Sequence, residues 1–121
     1  AAAGRPRATQ DLDIWVAPTA TNAARLGDAL REFGFTALAA ESVRFAVRDR
    51  MATLGSPPMR IDIMTSITGV SFSQAWSRRV NANLGDVVVP FLSRRDLEVN
   101  KRAAGRAKDL ADLALLEEAQ D

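Results

Sequence analysis

The chain contains no histidine, no cysteine and no tyrosine. Without cysteine there can be no disulfide, no thiol nucleophile and no thiolate metal site. Without histidine, Ser-His-Asp and Cys-His catalysis, imidazole bases and His-bound zinc are all excluded. Any chemistry therefore falls to carboxylates, Lys, Arg and hydroxyl groups, and carboxylate ligation of a hard metal ion is the main route left open. Long apolar runs are also lacking. None approaches the roughly 20 residues that a membrane span needs, and no basic start with an apolar core precedes the first strand. The expectation is a cytoplasmic protein with no membrane partner.

What is present is ordinary for a folded domain. Hydrophobic residues make up 47% and charged residues 26% of 121 residues, which suits one domain over residues 1–121 that buries about two-thirds of its unfolded surface. A net charge of +1 selects no class of partner, but the charge is unevenly spread. Between Arg94 and Lys108 stand Arg94, Arg95, Lys101, Arg102, Arg106 and Lys108 against Asp96 and Glu98, before an acidic tail.

The pattern of residues predicts an alternation of strands and helices. Residues 1–10 lead into a strand from about Asp11 to Ala17, which Pro18 stops, with Thr19 and Thr21 as helix-capping candidates. A helix over 20–33 carries Ala23, Leu26, Leu30 and Phe33 on one face, with Arg25, Asp28 and Arg31 opposite and Gly34 to end it. Ala40 to Phe45 reads as a helical turn and Phe45 to Leu54 as a strand. The Gly55-Ser56-Pro57-Pro58 turn then leads into a strand over 59–65. A short helix from Ser71 to Trp76 follows, with Phe72 and Trp76 assigned to packing. Segments 78–84 and 87–92 read as a hairpin joined at Gly85-Asp86, and Ser93 caps a basic helix over 94–104. Gly105 breaks that helix, and a last one runs from Arg106 to about Ala119, so that 94–119 forms a basic C-terminal helical pair. The fold class is α/β (α+β), a mixed sheet flanked by helices.

The most informative residues are Asp11 and Asp13 in Asp11-Leu12-Asp13-Ile14-Trp15-Val16, with Asp62 in Arg60-Ile61-Asp62-Ile63-Met64. Side chains alternate between the faces of a strand, so Asp11 and Asp13 share one face while Leu12, Ile14 and Val16 take the other. Aspartate is depleted in strands. A strand that accepts two on one face has departed from its local preference in the way functional sites do. Two such strands side by side would gather three carboxylates, a cluster suited to Mg²⁺ in phosphoryl or nucleotidyl transfer. The alternative is that these are solvated acids at strand ends. Arg60 falls on the face of Asp62, either paired with a site carboxylate or as an edge cation. Trp15 falls on the acid face, where it can stack on a base or fill core.

Three segments in order, Arg7-x-Thr9-x-Asp11-Leu12-Asp13, then Pro57-Pro58-x-Arg60-Ile61-Asp62-Ile63-x-Thr65-Ser66-Ile67-x-Gly69-Val70-x-Phe72, then Asn100-Lys101-Arg102-Ala103-x-Gly105-Arg106-x-Lys108-Asp109-Leu110-Ala111-Asp112-Leu113, resemble the small bacterial nucleotidyltransferases of the DNA polymerase beta superfamily. Within it the abortive-infection, toxin-type group is the most similar. The resemblance implies that Asp11 and Asp13 ligate two Mg²⁺ ions, with Mn²⁺ an alternative. It makes Asp62 the third carboxylate, which helps activate the attacking hydroxyl. It further implies that Lys101 and Lys108 neutralise triphosphate charge, that Asp109 positions a lysine or contacts the nucleotide, and that Arg7 and Thr9 orient Asp11 or its loop. The family's glycine-rich turn upstream of the Asp-x-Asp strand has no counterpart in this chain, whose expected form is therefore a fold lacking the glycine-turn helix.

The implied activity is transfer of a nucleoside monophosphate from an NTP to a hydroxyl on tRNA, protein or a small molecule. The implied role is the toxin of a toxin–antitoxin pair, with a cognate antitoxin and a homodimer as further partners. A relative that keeps the fold as a binding or regulatory module is the alternative. A nucleic-acid-binding domain built on the basic helices is a third, weakened by the near-zero net charge.

Overall fold

The computed structural model describes residues 10–56 and 58–118. They form a mixed α/β arrangement that divides into two compact units, one ending at Ser66 and the other beginning at Ile67.

The first unit contains β1 (Gln10–Trp15), α1 (Ala20–Glu32), α2 (Thr36–Ala40), a 3₁₀ turn (Ser42–Ala46), β2 (Met51–Ser56) and β3 (Met59–Met64). Its sheet has the order β1-β3-β2, with β1 parallel and β2 antiparallel to the central β3. Alternation sends Ile63 of β3 and Leu54 of β2 to one face. There they join Ala23, Leu30, Ala39 and Phe45 in a single buried cluster, flanked by Val16, Leu26, Leu38, Ala46, Ala52 and Ile61. Each large side chain buried in this way contributes about 1.5–3 kcal/mol.

Helix α1 starts where the sequence suggests, its Asn22 amide donating to Thr19 Oγ1 at 3.1 Å. Its buried stripe is Ala23, Gly27 and Leu30, which differs from the expected one at its end. Phe33 is the C-cap rather than a further turn of the stripe and is 80% exposed. Gly27 supplies the missing contact. A Cβ there would lie 2.5 Å from Ser42 Oγ, so glycine lets the 3₁₀ turn press against α1.

The segment between α1 and β2 is the main departure from the sequence reading. Thr36–Ala40 is helical, the 3₁₀ turn reaches Ala46, and β2 begins at Met51 rather than near Phe45. Phe45 is core, not strand. Asp49, in left-handed backbone with φ 62°, breaks the run, and it is held by its amide and its Oδ1, each 2.8 Å from Ser66 Oγ. Arg50 N–H donates to Thr65 Oγ1 at 2.9 Å, which fixes the start of β2 against the end of β3.

The second unit contains α3 (Phe72–Ser77), β4 (Val80–Leu84), β5 (Val87–Phe91), α4 (Arg94–Ala104) and α5 (Ala107–Glu118). The hairpin pairs Leu84 with Val87 across Gly85-Asp86, as expected. Val80, Ala82 and Leu84 share one face with Val87, Val89 and Phe91. Ser93 caps α4 through the Asp96 amide at 3.1 Å, and Gly105 ends it in left-handed backbone. Before α3, the turn at Gly69 has φ +82°, and a Cβ there would come within 2.8 Å of Ala103 Cβ. Glycine thus serves both the backbone and the close approach to α4, which Asn100 Nδ2 reinforces by donating to the Thr68 carbonyl at 3.0 Å. Trp76 corrects another expectation. It is 47% exposed rather than packed inside, stacked on Phe72 at 6.1 Å with the Arg79 guanidinium 4.1 Å from its ring centroid.

Candidate functional site: carboxylates on one face of the sheet

The parallel register of β1 and β3 places Asp13 beside Asp62 and Asp11 beside Arg60. Register partners on adjacent strands lie about 4.8 Å apart and point to the same side. Asp11, Asp13, Arg60 and Asp62 therefore share the face opposite the one that carries Leu54 and Ile63 to the helices. The antiparallel register of β2 adds Thr53 beside Asp62. The sequence reading missed Thr53, although counting outward from the turn after Gly55 reaches it.

Asp62 is the buried member of this group at 6% exposure, whereas Asp11 and Asp13 are exposed. Both of its oxygens are engaged. Thr53 Oγ1 donates to Oδ1 at 2.7 Å, and Arg60 Nη2 donates to Oδ2 at 3.1 Å. Of the two readings open for Arg60, the geometry selects the ion pair with a site carboxylate.

Carboxylate oxygens are the donor type that hard divalent cations take, and Asp13 and Asp62 stand side by side on this sheet face. Each carboxylate has about four lone-pair positions, so Thr53 and Arg60 leave Asp62 with capacity to ligate. As the side chains stand, no group of three or more acidic side chains converges to hold a metal among the described residues, and the Arg60 guanidinium lies against Asp62.

The other residues singled out in the sequence belong to the second unit or fall outside the described residues. Arg7 and Thr9 lie outside them. Lys101 of α4 is 2.8 Å from Asp112 Oδ2 and 3.6 Å from Asp109 Oδ1. Asp109, 1% exposed, also accepts from Arg106 Nε at 2.6 Å and Nη2 at 3.2 Å. The Arg106 hydrogen bonds hold its carboxyl below the usual carboxylate range, against the opposing effect of burial and with help from the Arg106 and Lys101 charges. Asp109 thus pairs with Lys101 as well as with Arg106. Asp112 is that lysine's nearer partner. Lys108 is exposed on α5.

A further ion pair escaped the sequence reading. Arg78 grips Asp96 with Nη2–Oδ1 at 2.8 Å and Nε–Oδ2 at 3.1 Å. Asp96 is held below its usual range, chiefly by the Arg78 hydrogen bonds, with burial opposing and the Ser93 cap assisting. Its signal was the acid three residues after a capping serine.

No helix among the described residues is long and apolar enough to cross a membrane. No family model matches the chain, and no curated protein or solved structure matches it.

Proposed function

We propose that the chain is a nucleotidyltransferase-type domain that moves a nucleoside monophosphate from an NTP to a hydroxyl acceptor on tRNA, protein or a small molecule, with Mg²⁺ or Mn²⁺ held by Asp11, Asp13 and Asp62. The observation that carries this reading is the parallel register of Asp13 with Asp62 and of Asp11 with Arg60. It brings the acids of two separate motifs onto one sheet face. The resemblance of those motifs, and of the basic one at 100–113, to toxin-type nucleotidyltransferases of the DNA polymerase beta superfamily supports the same reading.

In this proposal Asp11, Asp13 and Asp62 would hold the metal ions, whose chemistry would be to neutralise triphosphate charge and lower the pKa of the attacking hydroxyl, which displaces pyrophosphate from the NTP. The chain's own residues do the rest. Asp11 and Asp13 stand exposed to receive cation and phosphate together. Asp62, fixed by Thr53, accepts the hydroxyl proton from a set position, which favours reaction through orientation rather than strength of base. In the second unit Lys101 is held by Asp109 and Asp112, and the resemblance alone gives Lys101 and Lys108 the role of phosphate cations. The resemblance extends this proposal to a cytoplasmic toxin of a toxin–antitoxin pair, with a cognate antitoxin and a homodimer as partners.

A second reading is favoured by the Arg60–Asp62 pair: a domain that keeps the fold as a binding or regulatory module and fills its acid site with its own arginine. Thermal unfolding with each Mg·NTP separates the two. The transferase reading expects a rise of several degrees at ligand concentrations near 100 times the dissociation constant, about 2.7 kcal/mol of stabilisation. It also expects that rise to vanish in Asp11→Asn/Asp13→Asn. Equal shifts in parent and variant would remove the acids from the site.

A further inference from the structure

We propose that the hairpin of β4 and β5 is a dimerisation element whose occupant is a second copy of this chain, joined β4 to β4 in antiparallel fashion about Ala82. This gives the proposed homodimer an interface. It stands on the hairpin alone, apart from any role of the acids in the other unit.

Every residue of the two strands is exposed except Val89, which is half-buried. Val80, Leu84, Val87, Val88 and Phe91 are among the exposed ones. A two-stranded hairpin is at best marginally stable in water, and three or more strands are needed before a sheet holds itself. The hairpin therefore has both apolar side chains to bury and main-chain groups to pair.

Pro90 decides which edge is open. It is the register partner of Asn81 and has no N–H, so this pair is the kind whose main-chain groups point away from the neighbouring strand. The two kinds of pair alternate along an antiparallel ladder, so Asn83 with Val88 is of the same kind. The main-chain groups of Asn81 and Asn83 thus face outward from β4. The outer edge of β5 is interrupted by Pro90, a common guard against strand addition. That of β4 has no proline and no charge, whereas the edge strand β1 carries Asp11 and Asp13.

Val80-Asn81-Ala82-Asn83-Leu84 has the same side-chain types in both directions. An antiparallel copy centred on Ala82 sets Val80 against Leu84, Asn81 against Asn83 and Ala82 against itself. The outward groups of Asn81 and Asn83 then meet in about four main-chain hydrogen bonds, apolar residues meet apolar ones, and the smallest side chain lies on the twofold axis. Asp86, the one charged residue between Val80 and Phe91, lies at the turn, away from that axis. Two five-residue strands paired in this way remove on the order of 600 Å² from water, below the roughly 1,000 Å² of a permanent interface. The dimer is accordingly one that exchanges with the monomer.

The test is sedimentation equilibrium over about 1–500 μM. The parent is expected to move from the 13.1 kDa of one chain toward twice that mass. Asn81→Pro gives β4 the same interruption that Pro90 gives β5, and it spares the hairpin's own ladder because that amide points outward. It is expected to raise the dissociation constant at least about tenfold. A parent that stays monomeric throughout overturns the proposal and removes the homodimer, while the Mg·NTP test of the acids stands unaffected. An Asn81→Pro variant that associates as tightly as the parent also overturns it, by placing the contact elsewhere. Should Asn81→Pro fail to fold, introduced cysteines decide, since the chain has none of its own. Facing Cα atoms across the axis would lie about 4.5 Å apart, within disulfide reach. Ala82→Cys is therefore expected to cross-link to a dimer on mild oxidation and the exposed Val88→Cys on β5 is not. Equal cross-linking of the two contradicts the β4 pairing.

Discussion

The two units of this chain hold their acids in different ways. In the helical unit Asp96 and Asp109 are each gripped by an arginine fork, and Lys101 joins Asp109 to Asp112. In the sheet unit Asp11, Asp13 and Asp62 crowd one face against the single contact from Arg60, while an apolar cluster from Ala23 to Ile63 holds the fold on the other face. The helical unit's acids are part of what holds it together. Asp62 shares its face with the exposed Asp11 and Asp13, and local charge crowding of this kind is what the proposed binding site draws on.

The largest effect should come from the sheet unit's core. Phe45→Ala is expected to cost about 3–5 kcal/mol by urea unfolding, because Phe45 lies in the one cluster that holds this unit. A cost below about 1 kcal/mol would mean that the sheet is held by something other than this core.

Next is Asp96→Ala, which removes the acid that Arg78 grips beneath the start of α4. It should cost about 1–3 kcal/mol, discounted because the Arg78 side chain is 43% exposed. Gly69→Ala follows at about 1–2 kcal/mol, since its φ of +82° and the nearby Ala103 Cβ both oppose a side chain. Circular dichroism during thermal unfolding would read both.

Acid pH sharpens the contrast. Asp96 and Asp109 have lowered carboxyl pKa values in the folded chain, so their stabilisation is fully present above the unfolded value near 3.9 and is lost as pH falls through the lower folded values. Amide exchange in α4 and α5 should accelerate below about pH 4. The same loss beginning near pH 6 would point to a different group. Smallest of all, Asp28→Ala removes an exposed pair with Arg31 at 3.1 Å and should change stability by less than about 0.5 kcal/mol.

Much of this was legible along the chain because the signals are local. The Asp-bearing strands follow from alternation, α1 and α4 from Thr19, Ser93 and their following glycines, and the hairpin from its turn. What was not legible depends on contacts distant in sequence. Thr36–Ala40 has no side-chain cap and is helical where its Ala39 joins the core with Phe45. Phe33 shows the reverse, an apolar residue that fits a helical stripe but lies past the last turn. At the site, alternation put Arg60 and Asp62 on one face, yet whether they touch was decided by side-chain geometry. Thr53 is reached only by counting the pairing of β2 with β3 outward from their turn.

The most direct test of surplus charge on the sheet is the unfolding free energy of Asp13→Asn, measured against the parent in EDTA and again in Mg²⁺. Relieving the like charge beside Asp62 should leave the metal-free variant as stable as the parent or more so, by up to about 0.5 kcal/mol. Mg²⁺ should then stabilise the parent but not the variant. A variant that is less stable than the parent by the same amount in both conditions would place Asp13 with Asp96 and Asp109 as a structural acid, and would contradict the account.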